Sequence, residues 1–408
     1  MSKALLFGLT GFIVIMALSG LVFGYFSVFF FSLLLLIFLR GLDLWNEIIF
    51  RQLFLHRSFD REKVFCNQEL NFIIELENKK IFPVFWLTIT CKMSNKINFK
   101  NDKFTKKVKT IGQKFKDVFN IRWYQKIKRF YKVKPVHRGV LSIYSANLTY
   151  QDPFGLFSNE TQQEKLVKVT VYPRVLSVAM SANSRDRLFG TKPVQGWVFP
   201  DRLNRMGVKD YVTTDSIKDI NWKVSGKRGK LQSNIYKPSL EKEVAFFHGL
   251  HSETTFGERI QRNDLEISLI AVASLANMYF NQGFEVSFFS THRTEEGISK
   301  KYSSVSAAAD KNGRENLYTL LALIKKRGLL PLSELISQKA RQLNSGTRVV
   351  IFTGRKYQFL QKTVDKFSSL NITVVSPGNT SNRLRGVQHL FVNNEVDWNE
   401  IQKIQLYS

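Results

Sequence analysis

The chain has 408 residues, 44% hydrophobic and 23% charged, with 60 Lys and Arg against 33 Asp and Glu for a net charge of +27. That length holds two soluble domains and a membrane segment, and the slightly negative mean hydropathy of −0.15 requires one strongly apolar region to be offset by a polar remainder. Two cysteines, Cys66 and Cys91, lack metal-ligand spacing and exclude a cysteine-built metal centre; in a reducing compartment they read as buried thiols.

The apolar region runs from Ala4 to Leu39 without an Asp, Glu, Lys or Arg. As one helix it would rise roughly 54 Å against ~30 Å of hydrocarbon. Two short spans broken between Ser19-Gly20 and Gly24 fit better, which predicts a transmembrane helical hairpin over residues 1–42. Two alternatives stay open. A signal peptide would use Lys3 and a cleavage site at Ala17-Leu18-Ser19, and a single span would have to tilt strongly. Lys3 and Arg40 flank the hairpin, followed by Arg51, His56, Arg57 and Arg61. The positive-inside rule then makes this a multi-pass protein of the cell membrane with its soluble part in the cytoplasm. Helical spacing of Trp45, Ile48, Ile49 and Leu53 predicts an interfacial helix or linker over 43–60.

Short aromatic and β-branched runs follow at Leu70–Leu76, Phe85–Thr90, Val140–Tyr144 and Lys168–Tyr172, punctuated at Asn78-Lys79-Lys80 and Asp152-Pro153. They predict a β-sandwich-like domain over 61–175. Inside it, residues 92–138 carry sixteen Lys and Arg against two acidic residues and read as a basic insertion interleaved with aromatics. Three readings of this stretch stay open: solvated strands with a long loop, a surface for anionic headgroups, or a nucleic-acid site. No recognised nucleic-acid module is present, so none is expected as a partner. The headgroup reading nominates Lys106, Lys107, Lys109, Lys126, Lys128 and Arg129.

Residues 176–241 read as a linker and a further segment, after which strands and helices alternate over 242–408. Strands are expected at Val244–Phe247, Glu285–Ser290, Thr347–Thr353 and Ile372–Val375. Helices are expected at Asp264–Asn281 with Asn263 as cap, Leu317–Lys326, Pro331–Leu343 and Phe359–Leu370. Such alternation predicts an α/β domain with a parallel sheet covered on both faces, so the fold class is α+β multidomain.

Within Gly207–Glu241, the residues Asp210-Tyr211, Asp215, Ile220-Asn221-Trp222-Lys223, Ser225, Gly229-Lys230-Leu231 and Tyr236 stand in a distinctive order. Upstream, Asp152-Pro153-Phe154-Gly155-Leu156-Phe157 precedes Val171-Tyr172-Pro173-Arg174. Together these resemble the signature of the bacterial domain of unknown function 58 family, whose members run from this block into a von Willebrand factor A-like domain. Asn221 departs from the Asp that is usual there. The resemblance implies a site for a divalent cation at the sheet's end, built on oxygen ligands. Here His248 and Leu250 replace the first Asp and Ser, Ser252 alone fits, and Thr353-Gly354-Arg355 lacks the usual Asp. A degenerate von Willebrand factor A-like domain without metal or other cofactor is therefore expected.

Other motifs speak weakly. His248-x-x-His251 lacks a third zinc ligand beyond Glu253, His251-Ser252 has no orienting acid, and Gly226-Lys227-Arg228-Gly229-Lys230 lacks phosphate-loop spacing. No catalytic residue is assigned, and no enzyme is expected. The signature block itself has two readings. Tyr211, Ile220, Trp222 and Leu231 pack against the sheet while its carboxylates pair with Lys218, Lys223, Lys227 or Arg228. Alternatively, Asp210, Tyr211, Asp215, Trp222, Lys223 and Lys230 form a partner surface. The resemblance implies as partners a MoxR-type AAA+ ATPase and a transglutaminase-like membrane protein. The expected function is thus a membrane-anchored adaptor, the alternative an electrostatic binder of anionic lipid or polymer through 92–138.

Overall fold

The computed structural model describes residues 3–93, 97–99, 109–111, 114–152, 158–180, 199–239, 242–250, 261–294, 302–328, 330–344, 347–355, 357–367, 370–378, 383–392 and 397–407. The chain forms two compact units, Met1–Pro173 and Arg174–Ser408.

The first unit opens with two helices, α1 (Lys3–Val22) and α2 (Phe26–Ile48). Gly24 turns the chain between them at φ +75°, a backbone state glycine adopts without steric cost. Gly20 lies against α2, and a Cβ there would come 2.9 Å from the Phe29 nitrogen. Of the two, α2 is long and apolar enough to cross a membrane, whereas the apolar part of α1, Phe7–Val22, is shorter. The expected interfacial helix over 43–60 does not form as a separate element. Its first residues extend α2, and from Leu53 the chain is already strand, with Leu55 and Arg57 turned inward and Phe54 and His56 outward.

Eleven strands follow: β1 (Leu53–Phe59), β2 (Lys63–Phe65), β3 (Leu70–Asn78), β4 (Val84–Met93), β5 (Ile97–Phe99), β6 (Lys109–Ile111), β7 (Lys114–Ile121), β8 (Lys126–Pro135), β9 (Gly139–Gln151), β10 (Ser158–Gln163) and β11 (Val167–Tyr172). One sheet runs β1-β3-β8-β5, the other β2-β11-β9-β4-β7-β6 with β10 also on β9. Strict alternation buries Leu70, Phe72, Ile74 and Leu76 on β3, and Phe115, Phe119 and Ile121 on β7. The rings of Phe72 and Phe115 meet edge to face at 5.8 Å across the two sheets, and each fully buried side chain of this size contributes ~1.5–3 kcal/mol. The basic stretch 92–138 is therefore not an insertion. Its two clear strands, β7 and β8, belong one to each sheet, with the apolar residues inward and the lysines outward.

One lysine goes the other way. Lys80, buried after β3, donates from Nζ to the carbonyls of Ile48 and Arg51 at 3.0 Å each, and to that of Ile49. Ile48 is the last residue of α2, and Ile49 and Arg51 follow it, so the ammonium closes the helix end onto the sandwich. The Trp45 and Phe82 rings meet nearby at 5.5 Å and a 49° tilt, and Asn159 Nδ2 donates to the Asn46 carbonyl at 2.9 Å.

The second unit holds β12 (Ser177–Met180), a ribbon of β13 (Phe199–Asp210) and β14 (Gln232–Ser239) enclosing α3 (Trp222–Arg228), then β15 (Glu243–Gly249), α4 (Arg262–Asn281), β16 (Glu285–Ser290), β17 (His292–Thr294), β18 (Ser303–Ala307), α5 (Lys311–Leu323), β19 (Ile324–Gly328), α6 (Leu332–Lys339), β20 (Arg348–Thr353), α7 (Gln361–Lys366), β21 (Asn371–Pro377), β22 (Gln388–Val392) and β23 (Lys403–Tyr407). Eight strands form one sheet in the order β12-β23-β22-β21-β20-β15-β16-β18. Its central pairings from β16 through β22 are parallel, but β18 and β23 run antiparallel to β16 and β22, so the sheet is mixed. One face, with Ala245, Phe247, Val349 and Ile351, packs on Leu332, Leu335 and Ile336 of α6 and Val364 of α7. The other meets α4, where Phe246 and Tyr279 lie edge to face at 5.7 Å.

Several boundaries differ from expectation. The segment 176–241 is no mere linker, since β12 pairs in parallel with β23. The helix expected at 317–326 ends at Leu323, and Ile324–Gly328 instead pairs with β17. Asn263 does not cap α4, whose cap position is Gln261; its Oδ1 accepts from the Trp398 nitrogen at 2.9 Å.

Candidate functional site

Two places in the second unit concentrate the candidate residues. The first is the end of β15. His248 is wholly buried there, with Nδ1 3.1 Å from Ser290 Oγ and Nε2 2.9 Å from Ser268 Oγ. Ser268 Oγ spends its proton on the Leu265 carbonyl at 2.9 Å, so it accepts from Nε2–H. That leaves Nδ1 facing the Ser290 hydroxyl. His292 packs beside it at 4.9 Å between ring centroids.

Around this network the other strand ends close in. Thr353 is buried at the end of β20, and next to it Gly354 leaves no room for a side chain, since a Cβ would lie 2.6 Å from the Leu250 carbonyl oxygen. Arg355 reaches Asp264 on α4 at 4.0 Å. Ser252, His251 and Glu253 lie outside the described residues. Among the described residues no three His, Cys, Asp or Glu side chains gather in a way that would hold a metal ion. Geometrically, His248 is a core hydrogen-bonding residue whose partners come from 20 and 42 positions away.

The second place is the β13–β14 ribbon with α3. Asn221 builds it: its Oδ1 caps α3 at the Val224 nitrogen (3.2 Å), and its Nδ2 donates to Asn234 Oδ1 (2.8 Å). Its carbonyl accepts from Ser225 Oγ (2.8 Å), whose oxygen in turn accepts from the Gln232 nitrogen (2.9 Å). Gly229 ends the helix in the left-handed region at φ +68°. Asn221 thus serves as both donor and acceptor, which an ionised Asp could not do.

On this rigid turn Trp222 points outward, 68% exposed, and Val212, Ile217, Leu231 and Ile235 are exposed as well. The expectation that Trp222 and Leu231 pack inward fails. A helix of about two turns, capped on both sides, needs no tryptophan to hold it, and the local polar knot fills its inner face. The carboxylates also choose other partners than expected. Asp215 accepts from Lys209 Nζ at 2.7 Å and from the Val212 nitrogen at 3.3 Å, and the Lys209 hydrogen bond holds its carboxyl below the usual range. Asp210 accepts from Gln232 Nε2. Tyr211 is half-buried and donates its amide to the Leu231 carbonyl, while Lys223 and Lys230 are exposed.

In the first unit, Lys106 and Lys107 lie outside the described residues, and Lys109 stands in β6. Lys126 and Lys128 pair with Glu75 at 3.4 and 2.6 Å, and Arg129 pairs with buried Asp117 at 2.6 Å while covering the Phe119 ring. These three cations already have carboxylate partners.

No protein-family model matches the chain, and no curated protein matches it. Among solved structures it is similar to a non-cellulosomal cohesin from the archaeon Archaeoglobus fulgidus, at 9% identity over 35% of this chain and 99% of that one, with a TM-score of 0.21. A CARDB domain from Pyrococcus furiosus matches at 11% identity over 30% and 96% (TM-score 0.20). The sporulation control protein Spo0M from Bacillus subtilis matches at 7% over 29% and 49% (TM-score 0.17). At such scores these likenesses lend no weight to any activity.

Proposed function

We propose that the chain is a non-catalytic, membrane-anchored adaptor that grips a protein partner with the ribbon of residues 199–239. The observation that carries this reading is Trp222, held two-thirds exposed on a turn made rigid by the Asn221 knot. A preformed aromatic anchor among other exposed apolar side chains is the usual core of a binding surface, and its rigidity lowers the cost of ordering on association. Lys218, Lys223, Lys227, Arg228 and Lys230 are exposed around it, a rim that suits an acidic partner face.

The resemblance to the domain of unknown function 58 family supplies the partner class, a MoxR-type AAA+ ATPase, with a transglutaminase-like membrane protein as a further associate. On this reading the second unit is a von Willebrand factor A-like domain that works without the usual cation. Helices α1 and α2 form a two-span hairpin in the cell membrane, and both units face the cytoplasm. The rival reading, an electrostatic binder of anionic lipid or polymer through 92–138, is weakened by the carboxylate partners of Lys126, Lys128 and Arg129.

Crosslinking in native cells, detergent extraction and affinity purification test the proposal. The unaltered chain should bring down an AAA+ ATPase, and Trp222→Ala should lose it while folding normally. Equal recovery by the variant would remove the ribbon from the interface.

A further inference from the structure

We infer that the two loops beside the exit of α2 form an aromatic foot that sits in the headgroup layer of the lipid bilayer. The inference rests on the membrane-anchored reading above and adds a second, non-helical contact with the membrane.

The first is the loop 79–83 between β3 and β4 with the opening residues of β4 as far as Trp86, and the second is 122–125, between β7 and β8. They expose Ile81 (64%), Phe82, Phe85, Trp86 (51%), Trp123 (60%) and Tyr124 (70%). Neither loop is a loose excursion. Asn78, buried between them, donates from Nδ2 to the carbonyls of Phe82 and Arg122, both at 2.9 Å. The Tyr124 amide donates to the Lys80 carbonyl at 3.2 Å, and the Trp86 amide to Asn120 Oδ1 at 2.8 Å. Trp86 and Tyr124 both hold positive φ, 49° and 46°. Bulky side chains rarely adopt that backbone state, so the surrounding hydrogen bonds enforce an arrangement that displays these rings to the outside.

Position decides what the foot meets. Lys80 holds the loop at the carbonyls of Ile48, Ile49 and Arg51, at and just beyond the end of α2. Two residues on, the Phe82 ring meets Trp45 at a tilt, one turn back toward the apolar part of the helix. The loop therefore descends along α2 in the direction of the bilayer. From Leu39, the last residue of the apolar run, to Trp45 the helix rises about 9 Å. A headgroup layer is roughly 5–7 Å deep on each side, and a tilted helix shortens the distance. Ile81 and the exposed rings thus lie at the depth where Trp and Tyr gather in membrane proteins. Arg51, Lys79 and Arg122 are exposed around them, the charge that an anionic surface attracts. A water-facing loop end has no need of six large apolar side chains, and a bilayer already tethered at α2 covers them without a further partner.

Spin labels on the full chain, reconstituted alone into phosphatidylcholine–phosphatidylglycerol liposomes, give the test. Cys66 and Cys91 are buried, so labels placed by Ile81→Cys or Trp123→Cys report their own sites. Leu34→Cys on α2 and Ile217→Cys on the ribbon serve as the hydrocarbon and water references. The expected result is loss of collision with a water-soluble nickel complex at 81 and 123, to values between the two references, while oxygen access persists. Labels at both sites as nickel-exposed as that at 217, with 34 protected, would overturn the foot and leave the anchor standing. Nickel access at 34 itself would overturn the anchor, and the foot with it. The Ile81 label leaves every ring in place, so it decides the matter should the Trp123 substitution disturb the loop.

Discussion

In the first unit the enclosed polar side chains include ionic ones, Arg57, Lys80 and Asp117; at the end of the large sheet in the second they are hydroxyls and imidazoles, Ser290, Ser376, His248 and His292. Each of those three charges sits at a join. Lys80 ties the sandwich to α2. Arg57 on β1 donates to the Lys165 carbonyl at 2.9 Å, beyond the end of β10 in the opposite sheet. Asp117 on β7 links through Arg129 and Tyr131 to β8, also in the other sheet. In the second unit His248 joins its strand end to Ser290 of the neighbouring strand and to Ser268 of α4. Charge is retained where two bodies must be fixed together, while hydroxyls and imidazoles fill a space between elements that already pack.

The harshest way to break this contrast is to put a charge where the second unit has none. His248→Asp should bury a carboxylate between two serines and lower stability by ~3–5 kcal/mol, read as a large fall in the thermal midpoint of the detergent-solubilised chain. His248→Gln, which keeps hydrogen-bonding capacity, should cost far less. Equal losses in the two variants would show that the site rejects shape rather than charge.

Next comes Lys80→Met, which removes the donor to three carbonyls and should cost ~2 kcal/mol. Burial lowers the Lys80 ammonium from its ordinary 10.5 to about 8. The folded chain therefore releases this proton before the unfolded chain does. Between about pH 8 and 10.5 the unfolded state binds more protons, so the stability of the unaltered chain relative to Lys80→Met should rise with pH across that window. Denaturant titrations at pH 7.5 and 10 would show it, and a constant gap would mean the ammonium titrates normally.

Arg57→Met should be milder still, within ~1 kcal/mol of the parent, because a hydrophobe of similar length can replace a buried cation that lacks a carboxylate partner. Smallest is Asp215→Asn. The carboxyl of Asp215 is held below its usual value by Lys209, so its contribution is present above the ordinary carboxylate pKa and lost as pH falls through the folded one. The variant should flatten that acid-side dependence with little effect at neutral pH, as NMR titration of the Asp215 carboxyl would verify.

Much of the fold was legible in the residues, and the misses have physical reasons. The continuous apolar run Val244–Phe247 could only be a strand covered on both faces, and Glu285–Ser290 was bounded correctly at both ends. Ser303–Ala307 and Lys403–Tyr407 escaped notice because strands near a sheet's edges need little apolar pattern. The helix–strand join at Leu323–Ile324 was invisible, since Ile324-Lys325-Lys326 suits a helix and only pairing with β17 pulls it straight. At the site, His248 could be singled out in the sequence, but not the serines that hold it, which come from distant elements. Trp222 keeps two readings in the sequence because hydrophobic patterning alone does not distinguish an aromatic that packs from one that is displayed. The lysines of 92–138 stand out as a charge run, while the more telling lysine, Lys80, sits beside Lys79 in a short turn.

The pairing of β12 with β23 also sets a clock. Strand β12 emerges at residues 177–180, yet its partner follows only at 403–407. At about 5–20 residues per second of synthesis, the earlier strand waits roughly ten to forty-five seconds for its neighbour. The sandwich, contained within residues 1–173, has no such debt to the later chain. The nascent protein thus passes through a period in which one unit can be complete while the other still offers an open sheet edge, and that interval is when a chaperone would find it.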